Sequence, residues 1–374
     1  MPAPLGPDEE PRAAPAEDFF ARVGRHARTC GVTRLADLTG LDRLGLPVWQ
    51  AVRPAGKALS VHQGKAATPL AARIGALCEA IESHCAENAP ADGPLCGFEE
   101  LTAKQRAPEL ADYARRRTGV PPADEPIRWC RAEDALACTP FFLPHELVSL
   151  DFTARGRSWC DRSSTGLGLG ATADQAMDVA IAELIERDAV GEWQRQPPEQ
   201  RLMRMIDPAT VPYGWFAEWR ARLTAAAVDL ALFAPESLAG MPVLVCWIGG
   251  REAFGERYRR FAGSAAHRDP ERALFKALAE ALQSRLTMIA AARDDILPST
   301  YRRPDAPLPQ LHAGAAGWEA VEPGPTGWRQ AAARLAAAGY GPAAVKRLDG
   351  ELDGVAVAKM FVAGLGSLTR ARRQ

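Results

Sequence analysis

Apolar positions follow two periods along this chain. Between 47 and 62 they alternate with polar ones and read as two strands, 47–52 and 58–62, joined by a Pro-Gly turn. Helices are predicted from Thr68, Thr172 and Asp269, each with a capping residue ahead of an apolar periodic stretch. The apolar runs 147–152, 228–234 and 242–250 read as buried strands, and "GVAVAKMFVAGLG" at 354–366 returns to strand character. The pattern weakens over 88–144, which reads as a variable insert or subdomain, and 297–328 is loop-like through its proline and glycine. Residues 1–18, rich in Pro, Ala and Glu, read as disordered, which leaves 19–374 as one domain. Intermixed strands and helices predict an α/β (α+β) core rather than a bundle or an all-β sandwich.

The three helices share a plan. Glu79 and Glu82 stand 11 and 14 residues after Thr68, Glu183 and Glu186 stand 11 and 14 after Thr172, and Glu280 and Gln283 stand 11 and 14 after Asp269. Pro69 and Pro270 take the favoured first helical position, and Gln175 completes a capping-box pattern after Thr172. Each helix follows a glycine-containing or small-residue segment, "HQGKAA", "STGLGLGA" or "AGSAAH", which points to one supersecondary unit used three times. On the second helix Glu183, Glu186 and Arg187 share a face with Ala176, Val179 and Ala180, while Met177, Ile181, Leu184 and Ile185 occupy another. Position 11 lies ~16 Å along a helix, too far for capping or dipole roles.

One E-x-x-E alone is ordinarily a solvated face; three oxygen-bearing pairs at one depth are not. Glu79, Glu82, Glu183, Glu186 and Glu280 can converge only if cations neutralise them. Hard, oxygen-seeking Mg²⁺ suits them and commonly brings a polyphosphate. Lys65, Arg187 and Arg285 supply the opposite charge that phosphate oxygens need.

Composition narrows the alternatives. With 45 basic against 46 acidic side chains, nothing favours a nucleic-acid or membrane-surface partner. Eight cysteines without a C-x-x-C pair suggest a reducing cytosol. With neither a signal-peptide pattern nor an apolar run near ~20 residues, a soluble, cytoplasmic protein is expected. "GLGLGATA" is not a P-loop, because the G-x-x-x-x-G-K-[ST] spacing is missing. Nor does the chain show a Ser-His-Asp constellation.

These residues resemble the YcaO family of ATP-dependent enzymes that modify the peptide backbone. "RLADLTGLDRLGLPVWQAVRP" with "GKAATPLAARIGALCEAIESHCAE" is similar to the family's N-terminal signature, "SSTGLGLGATADQAMDVAIAELIERDA" to its S-x-G-x-x-x-G and E-x-x-E-R-D-A segment, and "DPERALFKALAEALQSRLTMIAAARDD" to its third signature. The resemblance implies mixed sheets with packed helices around a central ATP and Mg²⁺ site. It implies metal-holding roles for Glu79, Glu82, Glu183, Glu186 and Glu280, nucleotide contacts for Lys65, Arg187, Gln283 and Arg285, and a place beside the nucleotide for Ser164 and Thr165. Gly75, Ser83, Thr165 and Gln175 depart from common family residues, each weakening one nucleotide contact without removing a metal pair.

The activity implied is phosphorylation of a backbone amide oxygen after a nucleophile has added to its carbonyl; no residue is assigned as the catalytic group. The T-G-L-D-R-x-G-x-P-V-W opening, together with an end "GLGSLTRARRQ" that lacks the Pro-rich tail of azoline-forming members, resembles the TfuA-associated stand-alone type without a fused leader-binding domain. That points to thioamide formation, with a TfuA-like or leader-binding partner, a peptide or protein substrate and a homodimeric assembly. An azoline-forming cyclodehydratase acting on Cys, Ser or Thr of a precursor peptide is the alternative. A non-catalytic scaffold is a third, disfavoured because unneutralised carboxylates serve no scaffold.

Overall fold

Each of the three predicted helices begins at its predicted cap. In a computed structural model of the chain, Thr68 Oγ1 accepts the Ala71 N–H at 3.3 Å, Thr172 Oγ1 that of Gln175 at 3.2 Å, and Asp269 Oδ1 that of Glu271 at 2.9 Å. Gln175 reaches back one residue further than a standard box, accepting from Ala171 N at 3.0 Å. The structure describes residues 5–7, 15–113, 121, 125–154, 159–251, 258–291, 293, 296–302, 305–350 and 352–366.

In chain order the elements are α1 (Ala16–Thr29), β1 (Arg34–Asp37), β2 (Val48–Val52), β3 (Val61–Lys65), α2 (Pro69–Glu87), β4 (Leu95–Cys96), α3 (Leu110–Tyr113), β5 (Ile127–Asp134), β6 (Pro140–Pro144), α4 (His145–Val148) and β7 (Leu167–Gly170). There follow α5 (Ala173–Arg195), α6 (Pro198–Leu202), β8 (Met205–Ile206), α7 (Gly214–Ala225), β9 (Val228–Phe233), β10 (Val243–Arg251), β11 (Tyr258–Ala266), α8 (Pro270–Ala290), α9 (Trp328–Ala337), β12 (Ala343–Arg347) and β13 (Ala356–Val362).

The described strands form three antiparallel sheets, ordered β1-β2-β3, β4-β5-β12-β13-β7 with β6 on β5, and β11-β10-β9-β8. The strands that lead into α2, α5 and α8, namely β3, β7 and β11, each lie at an edge of their sheet. Each helix packs on its own edge strand and also on that of another unit: α2 on β3 and β7, α5 on β7 and β11, α8 on β11 and β3. The result is a closed ring of three strand–helix units, the α/β arrangement that the intermixed pattern implied.

Several expectations shift. The second strand runs Val61–Lys65 rather than 58–62. Residues 147–152 are not a strand: Leu147, Val148 and Leu150 are fully buried, but the carbonyls of Leu147 and Val148 accept from Lys359 Nζ at 2.9 and 3.1 Å instead of from a ladder. The apolar run there reports burial, not pairing. The stretch 88–144 supplies β4, β5 and β6, and β5 pairs with β12 through Ala344↔Asp134 and Val345↔Glu133. Of the expected disorder at 1–18, residues 1–4 and 8–14 lie outside the described residues. Residues 16–18 instead open α1, and the Leu5 carbonyl accepts from Trp219 Nε1 at 2.7 Å. Among the described residues no helix is long and apolar enough to cross a membrane.

Candidate active site

Close strand–helix contact places the site. A Cβ on Gly64 would fall 2.0 Å from Ala72 O, one on Gly168 2.1 Å from Ala176 O, and one on Gly263 2.2 Å from Ala277 O. Glycine in the strand and alanine in the helix therefore let backbone meet backbone in all three units. On α5 the two faces read from periodicity are both used: Ala176 and Ala180 are sealed and beside Gly168, while Ile181, Leu184 and Ile185 enter the core toward α9 and β13.

The paired positions have a division of labour. At the first, Glu79 Oε2 accepts the Gln63 N–H at 2.9 Å and Glu183 Oε2 the Gly166 N–H at 3.0 Å, so both lie against the strand segment of their own unit. Glu280 Oε2 instead sits 3.9 Å from Lys65 Nζ, across the ring. The second position always reaches the next unit. Glu82 accepts the Leu169 N–H from β7, Glu186 Oε1 accepts from Ser264 Oγ of β11 at 2.7 Å, and Gln283 Nε2 donates to Gln63 Oε1 of β3 at 3.2 Å.

The charges are strongly coupled. Burial raises the Glu79 carboxyl despite nearby Lys65, and Glu183 adds to the rise. Burial, then Glu79 and Glu183, push Glu82 up to about 8. Burial raises Glu186 to about 7, with Glu280 and Glu183 adding to it while Arg187 and Ser264 oppose. Arg187, about half exposed at 49%, spans Glu183 at 3.7 Å and Glu186 at 3.4 Å. Without cations, neutral pH leaves protons in this cluster.

A cavity of about 530 Å³ opens beside it, lined by the first turns of the three helices. Ala71, Gln175 and Arg272, three residues after their caps, and Gly75, Val179 and Lys276, seven after, face it. Positions 3, 7, 11 and 14 share one helix face, so the carboxylates continue the cavity wall by one turn. Among the predicted site residues, Lys65 lines this cavity directly.

Ser164 is exposed and Thr165 part-buried in the turn before Gly166. Thr165 Oγ1 accepts from Ser163 Oγ at 2.9 Å, and Lys359 Nζ holds the Ser163 carbonyl at 2.7 Å. Arg285 is placed differently from the rest, with its guanidinium paired to Asp42. Of the R-D-D run after α8, Arg293 acts electrostatically on Glu79, whereas residues 294 and 295 lie outside the described residues.

Sequence reasoning missed Gln63, Ser264, Arg272, Lys276 and Asp42. Gln63 and Ser264 both stand five residues before their caps in segments already singled out, a shared offset that could have exposed them. Arg272 and Lys276 lie on the face that carries Glu280, and extending its period backward finds them.

Among the described residues no group of three or more His, Cys, Asp or Glu could by itself hold a metal. Mg²⁺ usually keeps waters and takes one or two carboxylates together with substrate phosphates rather than an all-protein cage. Pairs of carboxylates one turn along the helix faces that line a cavity with a basic flank fit that donor set.

The model of a family described as "YcaO cyclodehydratase, ATP- and Mg2+-binding" matches residues 63–366. A Rhizobium leguminosarum bv. trifolii protein, described as an uncharacterized protein in the tfuA 3′ region, is 35% identical over 302 residues, 80% of this chain and 72% of its own. A Methanothermobacter thermautotrophicus protein is 28% identical over 301 residues, 78% and 75% of the two chains. Among solved structures, YcaO from Methanopyrus kandleri bound with AMPPCP and Mg²⁺ has a TM-score of 0.69 at 22% identity, covering 95% of this chain and 92% of that one. A heterocyclase in complex with substrate and cofactor has a TM-score of 0.75 at 19% identity; it covers 97% of this chain, which spans about half (54%) of that protein's length.

Proposed function

The chain belongs to the YcaO family, and from that premise we propose that it is an enzyme that converts a backbone amide of a peptide or protein to a thioamide, acting with a TfuA-like partner. ATP and Mg²⁺ are its cofactors. The observation that supports the ATP and Mg²⁺ part of the reading is the ring of matched pairs, in which carboxyls pushed up to about 8 and 7 at Glu82 and Glu186 stand beside a cavity with a basic flank.

Glu79, Glu82, Glu183, Glu186 and Glu280 would hold Mg²⁺, which when bound neutralises phosphate charge. Lys65 and Arg187 would meet phosphate oxygens, and Ser164, Thr165 and Gln283 would border the same nucleotide. The balanced chemistry is amide plus hydrosulfide-level sulfur plus ATP giving thioamide, ADP and phosphate. Sulfur adds to the carbonyl carbon, and the resulting oxyanion takes the γ-phosphoryl group from ATP. Loss of that oxygen as phosphate leaves the C=S bond. The chain's residues would orient the nucleotide; the tfuA-region description of a 35% identical relative supports sulfur as the nucleophile.

The second reading is azoline formation, supported by the family description as a cyclodehydratase. There a Cys, Ser or Thr side chain replaces the external sulfur. Product mass separates the two: the protein is incubated with ATP, Mg²⁺, sulfide, a TfuA-like protein and a peptide encoded beside it. A rise in peptide mass for oxygen exchanged by sulfur is expected, and loss of water instead would replace thioamidation with cyclodehydration.

A further inference from the structure

The T-G-L-D-R opening contributes Asp42, to which the proposed function gives no role. Arg285 Nε donates to Asp42 Oδ2 at 2.9 Å and its Nη2 to Oδ1 at 3.3 Å, a two-pronged pair with side chains only 17% and 4% exposed. The guanidinium also lies 5.8 Å from the Phe261 ring centre. Asp42 is held in a stitched segment. Thr39 N donates to Asp37 Oδ1 at 2.9 Å, Thr39 Oγ1 accepts from Val48 N at 3.2 Å, and the single turn Thr39–Leu41 packs on α8.

The three junctions of the ring are not equivalent. At α2–β7 and α5–β11 a carboxylate grips a donor of the next strand. At α8–β3 the gripping group is the neutral Gln283, whose acceptor Gln63 Oε1 also takes Thr287 Oγ1 at 2.5 Å, and the Lys65–Glu280 contact is a loose 3.9 Å. The Arg285–Asp42 pair lies at this junction, one half on α8 and the other on the segment that enters β2. We infer that Asp42 and Arg285 are a positioning pair that closes the ring, setting Glu280 and Gln283 against Lys65 and Gln63, and that Arg285 does not contact the nucleotide. A move of Arg285 onto a phosphate would strand a buried carboxylate, which is strongly unfavourable. The inference rests on the ATP and Mg²⁺ reading of the site.

The test is calorimetric binding of AMPPCP, and the Mg²⁺ midpoint of that binding, for Asp42→Asn, Arg285→Gln, Arg285→Lys, the Asp42→Asn/Arg285→Gln double variant and the swapped Asp42→Arg/Arg285→Asp. Each single variant is expected to weaken binding roughly 10-fold and raise the Mg²⁺ midpoint, with the double variant no worse than a single one. Arg285→Lys, which keeps its charge but loses the fork, should weaken binding as well, and the swap should recover part of the loss. A purely structural pair would lower the melting temperature without moving the Mg²⁺ midpoint, which overturns the inference. So does an Asp42→Asn protein that binds normally while Arg285→Gln does not, or an Arg285→Lys protein that binds as the parent does. Glu183→Gln separates the premise: if it retains Mg²⁺-dependent binding, the site reading itself fails, whatever Arg285 does.

Discussion

Glu82 and Glu186 show at single residues what crowding carboxyls into this ring costs. Their folded values of about 8 and 7 lie above the ordinary carboxyl value of ~4.3, so the folded state holds protons that the unfolded chain has released. Their contribution to stability is complete below the unfolded value and is lost as pH rises through about 7 to 8. The Mg²⁺-free protein should therefore melt at progressively lower temperature between about pH 5 and pH 9, and Glu82→Gln/Glu186→Gln should flatten that slope while abolishing Mg²⁺-dependent nucleotide binding. A slope unchanged in the double variant would show that other groups govern it. Lys359 is the opposite case, a buried cation holding the carbonyls of Leu147, Val148 and Ser163. Lys359→Met should cost at least about 2 kcal/mol by urea unfolding, since it strands buried acceptors, and should loosen the turn that carries Ser164 and Thr165, read as weaker nucleotide binding.

Among the elements, each strand–helix unit depends on a different kind of residue at each end. The cap is local and tolerant: Thr172→Ala should cost about 1 kcal/mol with no change in the Mg²⁺ midpoint. The strand glycine is not. A methyl group at Gly168 would lie 2.1 Å from Ala176 O, a backbone atom that cannot step aside. Gly168→Ala should cost about 1–3 kcal/mol or more and shift α5 off β7, carrying Glu183 and Glu186 with it. Unfolding and nucleotide titration of both variants check the contrast. The same glycines explain why β7 was invisible to pattern reading: "LGLG" lacks strand-forming side chains because the helix occupies their space. β11 was hidden by Arg259, Arg260, Gly263 and Ser264, residues chosen for contacts rather than for alternation.

For the whole molecule, the carboxylates belong to three units and meet only when the ring is closed. Binding should therefore be cooperative in composition: Mg²⁺ alone or AMPPCP alone should barely raise the melting temperature, whereas the two together stabilise by about 2.7 kcal/mol at a hundredfold excess over Kd. Equal stabilisation by Mg²⁺ alone would mean a preformed metal cage instead. Caps, helix faces and the offsets of 11 and 14 residues were readable from the chain, because hydrogen bonds within a turn and the 3.6-residue period are local properties. So was the matched depth of the five carboxylates on their helices. The closure of the ring was not, nor was the commitment of Gln283 to Gln63, of Glu186 to Ser264 and of Arg285 to Asp42, whose partners lie 220, 78 and 243 residues away in sequence. Such pairings arise from which edge strand each helix covers, and helical periodicity reports which face is buried but not what covers it.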